Sequence, residues 1–138
     1  MSFESTVIGD SCLYLGTLSD GIPVSVTGRM GVLLPAFSKD ECALCLSMIP
    51  ALVKKNCKQV VCVGSLAEQL HDAIDDLVED MQRSDVMTTS HTDVDAACDD
   101  FVFAVGPLTK TLLALVGNYP SLVGALKKAA VDRVADFH

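Results

Sequence analysis

Runs of strand-forming residues alternate with longer amphipathic segments along most of this chain. Three such runs, at 32–37, 59–64 and 85–91, are each followed by a Ser or Thr with an acidic residue three positions later. That spacing is typical of a helix start, because both side chains can bond N–H groups that the first helical turn leaves unpaired. The pattern therefore predicts three strands that each lead directly into a helix.

The segments that follow these runs have the spacing of helices. Apolar residues recur every three or four positions in 42–53 and in 66–81, which predicts two amphipathic helices. Residues 101–105 resemble a strand in composition. However, the helical spacing that begins at Val94 continues through them, so we predict a helix there. A fourth strand is expected at 111–116, followed by a last helix that opens at Pro120.

Strand and helix thus alternate four times from residue 32 to residue 138. This order predicts a parallel sheet covered by helices on both faces. In this respect the chain resembles the doubly wound superfold in its flavodoxin-like or Rossmann-like forms. We therefore expect a three-layer α/β fold with a mostly parallel sheet of about four strands, in a single domain spanning residues 1–138.

The first 31 residues have a different pattern. Apolar segments at 13–18 and 22–26 flank the sequence Ser19-Asp20-Gly21, and apolar runs on either side of Asp-Gly predict an antiparallel hairpin. Pro23 cannot donate to a strand ladder, so its strand is expected at an edge. Residues 1–31 are therefore expected to form a β-hairpin extension to the core of residues 32–138.

Any small-molecule site is expected where the parallel strands end. Right-handed crossovers bring the carboxyl ends of such strands to one edge of the sheet, and ligands bind outside that edge. The chain has no G-x-G-x-x-G, Walker A or G-x-S-x-G motif. Accordingly we expect no cofactor and assign no catalytic residue. The polar residues that predict a ligand-binding edge are Ser38, Ser65, Ser90, His91, Asp93 and Asn118.

An alternative interpretation gives the same edge a metal ion. His71 and Asp75 are spaced i, i+4 on a predicted helix, and His91 and Asp93 follow the next strand. Such a set could hold a metal and activate water for hydrolysis. A position nearly two turns into its helix places His71 away from the sheet edge, which weighs against this hypothesis.

Two cysteines form a C-x-x-C sequence, Cys42-Ala43-Leu44-Cys45. A dithiol redox site needs its first cysteine at a helix N-terminus, where the helix dipole lowers the thiol pKa. The predicted helix begins a full turn earlier and places both cysteines on its apolar stripe. We therefore expect core cysteines.

The charge of the chain is concentrated in one block. The net charge is −8, and residues 72–100 contain ten acidic residues against one basic residue, a balance of −9. Such a surface repels nucleic-acid phosphates and anionic lipid. The sequence therefore predicts neither nucleic acid nor membrane as a partner, whereas a basic protein surface would be attracted to an acidic helical face.

The apolar content is high for a chain of 138 residues. Half of the residues are hydrophobic, and the mean hydropathy is +0.41. No apolar run approaches the ~20 residues of a membrane helix, and the first residues do not resemble a secretory leader. The six cysteines then indicate reduced thiols in the cytoplasm. The apolar excess predicts a homo-oligomer. Taken together, these features favour a non-enzymatic interaction module over an enzyme.

Overall fold

The computed structural model describes residues 3–23, 26 and 28–136, and these form an α/β fold. A six-residue π-helical segment, Asp100–Val105, directly follows the α-helix that ends at Asp99. The strands are β1 Glu4–Ile8, β2 Ser11–Leu15, β3 Met30–Pro35, β4 Cys57–Val63, β5 Met87–His91 and β6 Thr111–Ala114. The α-helices are α1 Lys39–Lys54, α2 Ala67–Asp80, α3 Val94–Asp99 and α4 Pro120–Asp136.

All six strands belong to one mixed sheet with the order β1-β2-β6-β3-β4-β5. Strands β1 and β2 are antiparallel, and every other neighbouring pair is parallel. The chain steps outward from β3 to β4 to β5 and then crosses back to β6 on the other side of β3. The direction of the strand order therefore reverses between β3 and β6, which makes this the switch point of the sheet.

Helices cover both faces of the sheet. Alternate side chains of the central strands contact α1 and α2 on one face, and the remaining ones contact α3, the π-helical segment and α4 on the other. Phe101 and Val102 of the π-helical segment are fully buried. Val105 is buried as well, whereas Phe103 and Ala104 are exposed. This helical spacing of buried side chains overrides the strand-like composition of the segment. Within the described residues, no helix has both the length and the apolar character needed to cross a bilayer.

The alternating pattern from β3 onward is confirmed, and so is the helical interpretation of 101–105. The expected number of about four strands is wrong, because the sheet has six. The additional strands come from the N-terminal region. There β1 and β2 pair, and β2 also enters the parallel sheet beside β6.

The predicted position of the hairpin is also wrong. The turn lies at Gly9-Asp10, where Gly9 has a φ of +58°, as two-residue hairpin turns require. Asp20 instead closes a 3-10 turn at Leu18–Asp20, since its carboxylate Oδ2 accepts a hydrogen bond from the Thr17 N–H at 2.8 Å. Of the second predicted strand, Ile22 and Pro23 lie outside the sheet, Val26 is buried, and residues 24 and 25 lie outside the described residues.

Candidate functional site

The turns at the carboxyl edge of the sheet are tied to one another by backbone hydrogen bonds. The Gly64 N–H donates to the His91 carbonyl at 3.0 Å, and the Leu66 N–H donates to the Ala36 carbonyl at 2.8 Å. Gly64 has a φ of +138°, and a Cβ atom there would lie 2.4 Å from the Ala36 oxygen. Only glycine allows this approach, so the turns after β3, β4 and β5 form one closely packed rim.

Side chains fill the rim at the switch point between β3 and β6. The Tyr119 hydroxyl donates to Glu41 Oε2 at 2.5 Å, and the Phe37 N–H donates to Glu41 Oε1 at 2.7 Å. The rings of Phe37 and Tyr119 are in contact, with centroids 4.6 Å apart. Burial and the hydrogen bond to Glu41 raise the pKa of Tyr119 to about 12, so the phenol remains a donor. In the sequence, only the positions of Phe37 and Glu41 soon after β3 and of Tyr119 soon after β6 pointed to this contact.

Three residues of the predicted ligand edge are exposed in the turns that follow β3, β4 and β6. Ser38 caps α1, since its hydroxyl accepts a hydrogen bond from the Glu41 N–H at 3.2 Å. Ser65 does not cap α2, which begins at Ala67 after an uncapped Leu66. Ser65 and Asn118 are both exposed.

The other three predicted residues belong to β5 and the turn that follows it. His91 Nε2 lies 2.9 Å from Asp100 Oδ2, which also accepts a hydrogen bond from the Thr89 hydroxyl at 3.0 Å. Asp93 is the N-cap of α3, because its Oδ2 accepts from the Ala96 N–H at 2.9 Å. The predicted cap was Thr92, one residue earlier. Ser90 is half-buried on β5.

His71 makes a second polar cluster beside β5. Its Nδ1 lies 3.2 Å from Asp72 Oδ1, and its Nε2 lies 3.0 Å from the Thr88 carbonyl oxygen and 3.6 Å from Asp75 Oδ2. Burial lowers the pKa of His71. The hydrogen bonds and charges of these neighbours outweigh that effect and raise its pKa above the ordinary value.

The two histidine clusters lie on opposite faces of the sheet. His91 is paired in register with Val63, which packs on the α3 and α4 face, whereas His71 belongs to α2 on the other face. The structure therefore brings His71 to Asp75 but does not bring this pair to His91 and Asp93. In the part of the chain that the structure describes, no group of three or more His, Cys, Asp or Glu residues could hold a metal ion.

The C-x-x-C pair lies on the inner side of α1. Cys45 is fully buried and Cys42 is half-buried. Burial, followed by the charge of Glu41, raises the pKa of both thiols, that of Cys45 well above its ordinary range. Neither cysteine therefore has the lowered pKa of a catalytic thiolate.

The acidic block surrounds the β5 edge of the sheet. Helices α2 and α3 flank β5 on opposite faces and expose most of its carboxylates to solvent. Asp85 is compensated by ion pairs with Arg83 and Lys58, and the Arg83 contact is the larger cause of its lowered pKa. Other members of this acidic face take part in none of the ion pairs found among the described residues: Asp76, Glu79, Asp80, Asp95 and Asp99.

A groove of about 520 Å³ lies at the opposite edge of the sheet, between the β1–β2 hairpin and α4. Its floor is apolar, formed by Ile8, Leu13 and Leu15. Lys127 Nζ and Glu4 Oε2 form an ion pair of 3.2 Å at its rim. The wall formed by α4 contains Leu126, Ala130, Val131 and Val134.

A second cavity of about 400 Å³ adjoins this groove at the carboxyl ends of β2 and β6. Its walls carry polar groups from Thr17, Asp20 and Lys127, and Gly117 comes from the turn after β6. None of the six predicted ligand residues lines this cavity or the groove. Sequence reasoning missed both, because they depend on where the hairpin lies.

The fold and these surfaces define an α/β protein with a mixed six-stranded sheet, an acidic edge and an apolar edge. The chain belongs to the family described as Domain of unknown function (DUF7684), whose family model matches residues 35–111. This range extends from the end of β3 to the start of β6 and includes both histidine clusters and the acidic face. No curated protein and no solved structure matches the chain.

Proposed function

We propose that this protein is a non-enzymatic interaction module whose acidic face binds a basic protein surface. The observation that carries the proposal is the group of uncompensated carboxylates on both sides of β5. They have no ion-pair partner within the described part of the chain, so a partner's Lys and Arg side chains can approach them without displacing an internal contact.

The geometry of the polar groups around β5 also supports this function. The carboxylates nearest the strand are already engaged: Asp100 contacts His91, and Asp75 contacts His71. These contacts fix the inner carboxylates in place, whereas Asp76, Glu79 and Asp80 project from the far side of α2. Exposed carboxylates that have no internal ion pair attract a basic protein surface at long range, so the association is expected to be fast and to weaken with salt.

The test measures the affinity for a synthetic lysine-rich peptide by titration calorimetry. The face variant is Asp76→Asn/Asp80→Asn, and the matched control, Asp40→Asn/Asp132→Asn, removes two exposed carboxylates elsewhere. Two exposed charge contacts of about 0.5 kcal/mol each correspond to about fivefold weaker binding for the face variant. We expect the control to bind as the wild type does. Equal losses in the two variants would mean that net charge alone governs binding, and the proposed face would be wrong.

A second candidate function is small-molecule binding or metal-assisted hydrolysis at the carboxyl edge of the sheet. The cavity of about 400 Å³ at the ends of β2 and β6 favours it, because its size lies within the range of ligand pockets. A rise in melting temperature with inorganic phosphate, a nucleotide or Mg²⁺ would support this function. Loss of that rise in Thr17→Ala would place the ligand in the cavity, whereas loss in His91→Ala would place it at the predicted edge.

A further inference from the structure

Strand β1 has an outer edge that pairs with no other strand among the described residues. The two-residue turn makes Ile8 and Ser11 the closing pair of the hairpin, and the backbone groups of alternate residues on β1 therefore bond to β2. On the other side of β2, the Cys12 N–H donates to the carbonyl of Lys110, just before β6, and the Gly16 N–H donates to that of Ala114, which fits the same alternation. The N–H and C=O groups of Ser5 and Val7 consequently point away from the sheet.

The two edges of this sheet differ in how they are protected. At the β5 edge the His91 carbonyl faces Gly64 of the neighbouring turn, so by alternation along the strand the backbone groups of Thr88 point outward. The outward Thr88 carbonyl is already in contact with the His71 side chain. Many carboxylates surround that edge as well. Strand β1 pairs with β2 in a regular register and has neither charge nor proline from Ser5 to Ile8. Charges, prolines and covering side chains are the usual means of blocking an edge, so β1 is open to pairing.

Exposed apolar side chains accompany this open edge. Val7 is 71% exposed on β1, and Val131 and Val134 on α4 are 68% and 36% exposed. Val131 and Val134 form the outer wall of the groove above the hairpin. Backbone pairing at β1 would therefore also cover apolar surface that the chain itself leaves in water.

We propose that β1 and the α4 groove are the dimer interface of this protein, with a second copy of the chain as the occupant. The two β1 strands pair antiparallel about a two-fold axis through Thr6, so that Ser5 of one copy bonds Val7 of the other. An axis of this kind runs perpendicular to the sheet. It joins the two sheets into one of twelve strands and places both α4 helices on the same face, with Val131 and Val134 at their contact.

The distribution of charge argues for a second copy as the partner. Each copy carries its acidic face at the β5 edge, five strand positions from β1. At ~4.8 Å between strands the two acidic faces would lie ~50 Å apart in the dimer. That is several times the Debye length of ~8 Å, so they would not repel each other. At the interface itself, Glu4 and Lys127 contribute one charge of each sign.

The first test is the mass of the protein in solution, measured by sedimentation equilibrium over a range of concentrations. We expect a dimer for the wild type and at least tenfold weaker dimerisation for Val7→Lys/Val131→Lys. The matched control is Met87→Lys/Leu108→Lys, which changes two exposed apolar residues outside the interface in the same way. Melting curves establish that each variant is folded. A wild type that is monomeric up to ~0.5 mM would overturn the proposal, as would equal effects of the two double variants.

The second test examines the register. The two Thr6 residues face each other across the axis as a non-hydrogen-bonded pair, at a Cα separation of ~4.5 Å that a disulfide can bridge. Oxidised Thr6→Cys should therefore form a covalent dimer on a non-reducing gel, whereas Ser19→Cys, which is exposed elsewhere, should give no more than the wild-type background. A dimer that Thr6→Cys does not cross-link would overturn the proposed strand pairing.

Discussion

Replacement of Gly64 by alanine tests the packing of the carboxyl edge. The φ of +138° at Gly64 lies where L residues rarely occur, and the added Cβ would lie 2.4 Å from the Ala36 oxygen and 2.7 Å from its carbonyl carbon. Ala36 cannot move freely, because its N–H donates to the Val63 carbonyl at 2.7 Å and its own carbonyl accepts from Leu66 at 2.8 Å. The clash is therefore with a backbone that is fixed on both sides.

Two costs combine in this substitution. A non-glycine residue in such a backbone conformation costs about 1–3 kcal/mol. Relief of the clash requires at least one backbone hydrogen bond at the rim to lengthen, at about 1 kcal/mol. We expect the free energy of unfolding to fall by about 3 kcal/mol, a large part of the about 5–15 kcal/mol of a typical domain. With about 2.1 cal/mol/K of unfolding entropy per residue, the melting temperature should fall by about 10 °C.

The assay is urea unfolding followed by circular dichroism, with thermal melting alongside. Gly21→Ala is the matched control, since Gly21 also has a positive φ (+74°) but a Cβ there would have nothing within 4 Å. It should lose only the backbone strain, about 1–3 kcal/mol, without the additional cost of a clash. Gly124→Ala, in α4 with open space around it, should be stabilising by about 0.5–1 kcal/mol. A loss of stability in Gly64→Ala no larger than that in Gly21→Ala would contradict the clash with Ala36.

Two further predictions concern titratable side chains. The raised pKa of His71 means that its contribution to stability is complete below pH ~6.5 and is lost as the pH rises through the native pKa. The difference in unfolding free energy between the wild type and His71→Gln should therefore shrink from pH 5 to pH 8, and a difference that grows with pH would contradict it. Burial raises the pKa of Cys57, Cys62 and Cys98 to about 12 and that of Cys45 further. Alkylation of the native protein followed by mass spectrometry should thus label Cys12 and Cys42 and spare the other four, and rapid labelling of Cys45 would argue against this packing.

Local pattern was sufficient for most helices and for the strands between them. The α1 start at Ser38 and the α4 start at Pro120 follow from capping chemistry that involves only neighbouring residues. The helical course of 101–105 follows from side-chain spacing that began at Val94. Strand β1 was missed because Glu4-Ser5-Thr6 has no apolar alternation and the residues there are exposed. An exposed edge strand leaves little trace in the sequence.

The candidate site residues show a similar division. The spacing of His71 and Asp75 fixed their proximity, since both belong to one helix. The partner of His91 could not be derived in this way. Asp100 comes from the π-helical segment nine residues later, and the contact depends on how that segment packs against β5. Phe37, Glu41 and Tyr119 meet only because β6 lies beside β3.

The sequence by itself determined the alternation of strands and helices from β3 onward, the concentration of carboxylates in one block, and the position of Cys42 and Cys45 on the inner side of α1. Each depends on residues a few positions apart, where backbone geometry sets the distance. Tertiary structure alone decided the strand order, the insertion of β6 between β2 and β3, the separation of the two histidine clusters, and the groove between β1 and α4. These depend on pairing between segments as far apart as Cys12 and Thr111, and local periodicity carries no information about which distant strands become neighbours.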